Sequence, residues 1–127
     1  MITGYLLSGM VGIMLFFTVV VAPTVFKVLP VEWSSKYVRN FFPKYYACLG
    51  LITTASIFTA SDGVSKVLLA ICALLFAFTL TYLTGKINEA KDQGQSRRFH
   101  LLHGASVVIN LFQLITFIYI LVKLYGA

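Results

Sequence analysis

The chain has 127 residues, 59% of them hydrophobic and 11% charged, with a formal net charge of +6. That composition excludes a domain with a solvated, charge-rich surface and places the chain among integral membrane proteins. The length fits one domain, residues 1–127, with nothing left over for a soluble one.

Four apolar runs cover about residues 4–26, 43–60, 64–85 and 101–124. Each approaches the ~20 residues that cross ~30 Å of hydrocarbon at ~1.5 Å per residue. The pattern predicts an all-α integral membrane protein, a bundle of four transmembrane helices. The first run has no basic leader and no small-residue cleavage site, and its apolar stretch exceeds the ~7–15 residues of a signal peptide. It is expected to stay as the first span. Within it Gly4, Ser8 and Gly12 fall four apart, a stripe that admits another helix closely, inside the bundle or from a second copy. Pro23, near the far end of the run, is expected to kink or end the helix and to free a carbonyl upstream.

Between the first two runs, Trp33, Tyr37 and Phe41 recur every four residues, while Ser34, Ser35, Lys36, Arg39 and Asn40 point elsewhere. This spacing predicts a short amphipathic helix lying in the interface, with its aromatics at headgroup depth. A plain loop belted by the same aromatics, with Tyr45 and Tyr46, is the alternative. Pro43 is a second expected helix break and opens the short second span, which Phe41 and Phe42 lengthen and from which Lys44 snorkels. Ser61-Asp62-Gly63 reads as a tight turn, with Asp62 capping the third span and pairing with Lys66.

Lysine and arginine set the orientation. Lys27, Lys36, Arg39 and Lys44 follow the first span, and Lys86, Lys91, Arg97 and Arg98 follow the third; only Lys66 and Lys123 fall on the other side. The bias puts both longer loops in the cytoplasm of a bacterial inner membrane protein and both termini in the periplasm. Those basic residues are expected to meet anionic lipids at the cytoplasmic face of the bilayer. A nucleic-acid partner is not expected, because no solvated basic face with base-reading elements is present. Cys48 and Cys72 sit at different depths and read as buried small hydrophobes rather than a disulfide. No cysteine or histidine spacing suits a metal site, and neither metal nor cofactor is expected.

The last run carries a polar stripe, His103, Ser106, Asn110 and Gln113, in steps of three, four and three. Such steps keep side chains on one helix face. Polar groups in hydrocarbon are costly unless they meet partners or line a cavity. The third span continues in the same rhythm through Thr81, Thr84, Asn88 and Asp92, with Glu89 beside them. In an antiparallel pair its end lies beside the start of the fourth span. The expected site is therefore an intramembrane cluster of Thr81, Thr84, His103, Ser106, Asn110 and Gln113. Asn88, Glu89, Asp92 and His100 form its cytoplasmic mouth, and His103 is its proton-sensitive centre, with Glu89 or Asp92 beside it.

Three functions fit that cluster. Its side chains can hold a bundle together in an accessory, interaction or structural subunit, as a homo-oligomer or within a larger membrane complex. They can line a cytoplasm-open half-channel for transport or permeation. They can hold haem or metal, but His100 and His103 share one helix, and a bis-histidine haem needs ligands on opposing ones. Catalysis is not expected: the chain lacks a nucleophile elbow, a phosphate-cradling glycine loop and an H-E-x-x-H motif.

Four segments carry a family resemblance: Val-Val-Ala-Pro-Thr-Val-Phe at 20–26, Phe-Pro-Lys-Tyr-Tyr at 42–46, Lys-Ile-Asn-Glu-Ala-Lys-Asp at 86–92, and Phe-His-Leu-Leu-His-Gly-Ala-Ser-x3-Asn at 99–110. Together they resemble the transmembrane-protein-205-like family, whose bacterial members carry a domain of unknown function numbered 4149. The resemblance implies a four-span protein, in bacteria an inner-membrane one. It places Pro23, Phe42, Pro43, Tyr46, Asn88, Glu89, His103, Gly104, Ser106 and Asn110 at motif positions. It brings no settled activity; a eukaryotic relative linked to platinum-drug tolerance points toward export or trafficking. A fainter similarity to membrane proteins of the copper-resistance D and haem-biosynthesis oxidase kind does not extend to their span histidines, so it implies no cofactor.

Overall fold

Apolar periodicity and polar capping together account for four long helices. A computed structural model of the protein describes residues 2–125. Helix α1 runs over Ile2–Val28, α2 over Val31–Thr59, α3 over Gly63–Asp92 and α4 over Ser96–Tyr125. Three of them, α1, α3 and α4, are long and apolar enough to cross a membrane. The expected second span lies within α2, which is not one of the three and whose first half carries Glu32, Lys36, Arg39 and Lys44.

The connections are short. Ser34, itself buried, donates its hydroxyl to the carbonyls of Leu29 and Val25 and closes the turn between α1 and α2. Asp62 caps α3 by accepting from the Ser65 amide at 3.2 Å, as expected. Its ionic partner differs from expectation: Asp62 pairs with Lys123 of α4 at 2.8 Å, while Lys66 donates to the Ile57 carbonyl. Between α3 and α4 the chain reverses at Gly94, whose φ of 68° is a left-handed conformation that favours glycine.

Neither proline ends a helix. Pro43 lies inside α2, so the expected interfacial helix is not a separate element but the first half of this one. Its missing N–H removes one hydrogen bond, to the Arg39 carbonyl, and the helix continues on both sides. Pro23 sits just after one widened turn of α1, Phe17–Val21, where the Ala22 amide reaches back five residues to the Phe17 carbonyl. That π-helical turn makes room for the proline ring without breaking the helix. A second such turn, Thr79–Leu83, lies in α3.

The core follows the three-four spacing. Leu7, Met10 and Met14 of α1 meet Leu49 of α2, Leu69, Cys72 and Phe76 of α3, and Phe117 and Ile120 of α4. Phe76 and Phe117 stack with ring centroids 6.3 Å apart. The buried hydroxyls are satisfied locally: Thr53 donates to the Leu49 carbonyl and Ser56 to that of Ile52, and Thr3 and Thr59 share a 2.6 Å bond between α1 and α2. Large apolar side chains such as Leu51, Phe58 and Leu74 point outward, as a lipid-facing surface requires. Of the two cysteines only Cys72 is buried; Cys48 is exposed, contrary to expectation.

The small-residue stripe splits. Gly4 is buried, and a side chain there would collide with Tyr125 of α4, whereas Gly12 has open space around it and Ser8 is exposed. Only its first member serves packing within the bundle.

Candidate functional site

Aromatic packing decides where the helices separate. Phe17, at the widened turn of α1, stacks on Phe41 at 4.8 Å and contacts Phe42 and Tyr45, all on α2. These contacts hold the second half of α1 against α2. Among the described residues, no Cα of α1 from Phe17 onward comes within 8 Å of a Cα of α4, although the first half of α1 packs against it. At that end α4 leans instead on the Thr84–Asp92 stretch of α3.

The separation leaves a cavity of about 400 Å³ lined by all four helices. It lies at the end of the bundle that carries Lys27, Lys36, Arg39, Lys44, Lys86, Lys91, Arg97 and Arg98, called here the basic end. Of the expected cluster, Thr84, Asn88, His103, Ser106 and Asn110 line it. Ser106 is buried and donates to the His103 carbonyl at 2.7 Å. Asn110 donates through Nδ2 to the Tyr46 hydroxyl at 3.2 Å, and its Oδ1 has no partner among the described residues. Thr84 donates to the Thr79 carbonyl, which the widened turn leaves within reach. His103 is exposed at the mouth, its ring parallel to that of Phe99 at 5.9 Å.

Five expected members lie elsewhere. Thr81 is exposed and donates to its own helix, at the Ala77 carbonyl. Gln113 is fully buried outside the cavity lining; it donates to the Cys72 carbonyl at 3.0 Å, and its Oε1 is unpartnered among the described residues. Glu89 is exposed and pairs with Lys86 at 3.8 Å, and His100 is exposed; neither lines the cavity. Asp92 is likewise outside the lining and pairs with Arg39 of α2. The expected approach of Glu89 or Asp92 to His103 therefore does not form, because basic neighbours on α3 and α2 take both carboxylates. Arg39 holds the Asp92 carboxyl below its ordinary range.

The walls contain groups that spacing did not place there. Lys91 reaches from α3 to the Ser35 hydroxyl of α2 at 2.6 Å and lies 5.8 Å from the Phe99 ring centroid. Arg39, Ser35, Tyr45 and Tyr46 line the cavity from α2, and Met14, Phe17 and Thr18 from α1. The aromatic run 41–46 was the signal for them, but it points equally to an interfacial belt. Chemically, the arrangement offers cations at the rim, hydrogen-bonding groups below them and an apolar interior. Among the described residues no three histidine, cysteine, aspartate or glutamate side chains gather as a metal site would require.

A family model described as a domain of unknown function, DUF4149, matches residues 5–96. The matched stretch includes Pro23, Pro43, Tyr46, Thr84, Asn88 and Asp92 and stops before His103, Ser106 and Asn110. No curated protein and no solved structure matches the chain.

Proposed function

This chain belongs to the DUF4149 family, and we propose that it is a small multi-pass membrane protein that holds a ligand in the cavity at its basic end. The observation that carries the reading is the convergence of Thr84, Asn88, His103, Ser106 and Asn110 on one cavity, with the Asn110 carbonyl oxygen left without a donor. A buried polar atom without a partner is costly, and a ligand or water that supplies a donor offsets that cost. The lysine and arginine distribution supports placing the basic end in the cytoplasm of a bacterial cell, with four spans and both termini periplasmic. On this reading the cavity is a cytoplasm-facing site for binding or permeation rather than a catalytic centre. Kinship with the transmembrane-protein-205-like family is part of the proposal; the motif at 99–110, beyond the matched residues, carries much of it.

A purely structural or accessory role is the second reading. The bonds of Gln113 to the Cys72 carbonyl and of Asn110 to Tyr46 favour it, since both join one helix to another. Native mass spectrometry of the protein released gently from its own membranes separates the two. A defined adduct on the wild-type chain, lost when Ser106→Leu fills the cavity, is the expected result. Bare protein, alone or as a clean assembly, would overturn the ligand reading and favour the structural one.

A further inference from the structure

The polar lining of the cavity is graded along its length, with Ala22 and Phe26 of α1 and Phe99 of α4 as apolar neighbours of its charged end. At the rim stand Arg39 and Lys91, with His103 beside them. Below come the hydrogen-bonding groups Tyr46, Thr84, Ser106 and Asn110, and farthest from the rim lie Met14, Phe17, Leu111 and Leu114. On α4 the lining runs from Phe99 to Leu114, about 22 Å at helical rise. A volume of about 400 Å³ spread over that length is a slot and not a round pocket. At this end no Cα of α1 from Phe17 onward lies within 8 Å of a Cα of α4, so the α1–α4 side is where the helix backbones approach least.

Charge narrows the ligand. No carboxylate lines the slot, whereas two permanent cations do. Asp92 offsets Arg39 from outside the lining. Lys91 has no carboxylate within 4.0 Å among the described residues, and Ser35 engages one of its three donors, leaving two for an anion. Resting on the ligand reading above, we infer that the slot takes an anionic amphiphile, an acidic head on Lys91 and Arg39 with its hydrocarbon chain along Met14, Phe17, Leu111 and Leu114, admitted sideways between α1 and α4. The head chemistry has two sources, a free single-chain acid or an acidic phospholipid of the bilayer.

Photo-crosslinking in phosphatidylcholine nanodiscs tests this on the full chain. Three diazirine-bearing probes share one chain length: a fatty acid, a phosphatidylglycerol and a neutral alkanol, each mapped by peptide mass spectrometry. The fatty acid, the phosphatidylglycerol or both are expected to label the peptides holding Met14, Phe17, Leu111 and Leu114, about tenfold above the alkanol. Which acidic probe labels identifies the source. Lys91→Gln should lower that labelling about tenfold, and Lys91→Arg should restore it. Equal labelling of the slot by the alkanol, or indifference to Lys91→Gln, would overturn the anionic head while leaving a ligand-binding cavity. Labelling confined to outward residues such as Val108, Tyr119 and Val122 with every probe would overturn the slot itself.

Discussion

At the scale of single residues, the polar groups are sorted by whether they find a partner. The three-four rhythm of α4 legibly puts His103, Ser106, Asn110 and Gln113 on one side, because side-chain direction follows from helix geometry alone. Three of them line the cavity, and the fourth is buried beyond it. Ion pairs are not legible in that way, since a carboxylate takes whichever cation tertiary packing brings closest. Asp62 shows this: Lys66 lies one turn away in sequence, yet Lys123 of another helix is the partner. With Lys123 and the Ser65 amide on it, the Asp62 carboxyl is held below the ordinary carboxylate range. A depressed carboxylate contributes stability that is present above its unfolded pKa, ~3.9, and is lost as pH falls through the folded value. The thermal midpoint of wild type in detergent should therefore exceed that of Asp62→Asn at neutral pH, and the gap should shrink below about pH 4. Both ends of the pair are exposed, so the gap should be small. A gap that widens on acidification would contradict the pairing.

At the scale of elements, the positions of the helices are legible and their boundaries are not. Apolar runs and the Ser61-Asp62-Gly63 turn mark α1, α3 and α4 well. The two prolines interrupt regular hydrogen bonding without ending a helix. Pro23 follows a widened turn that absorbs its ring, and Pro43 removes one hydrogen bond from a long helix that continues through it. Arg39 to Asp92, Lys91 to Ser35 and Phe17 on Phe41 all tie the first half of α2 to other helices, contacts that no local pattern announces. The small-residue stripe of α1 is legible only as a shared face, because four-residue spacing does not report what covers it; Gly4 meets α4 and Gly12 meets nothing within the chain's described residues. Gly4→Leu should lower the thermal midpoint modestly, since it pushes aside the ring end of the largely exposed Tyr125. Gly12→Leu, with open space around it, should leave the thermal midpoint of the monomer unchanged. Paired melting curves and sedimentation in detergent check both. Loss of a dimer on Gly12→Leu would show that this face joins two copies.

At the scale of the whole molecule, α4 leans on α1 at one end of the bundle and on α3 at the other. The cavity follows from that tilt and from the aromatic contacts that keep α1 beside α2. Its existence was not legible in the sequence, although several of its polar residues were, because tilt depends on how four helices fill space together. The separation of α1 and α4 at the basic end is the premise of everything proposed for this protein. Pulsed electron paramagnetic resonance measures it directly in nanodiscs, in a Cys48→Ser, Cys72→Ala background. One spin-label pair replaces Thr24 and Leu101 at the basic end, and the other replaces Tyr5 and Val122 at the opposite end. The account predicts a clearly longer distance for the Thr24–Leu101 pair. Equally short distances at both ends would mean that α1 packs along the full length of α4, and the cavity would not exist.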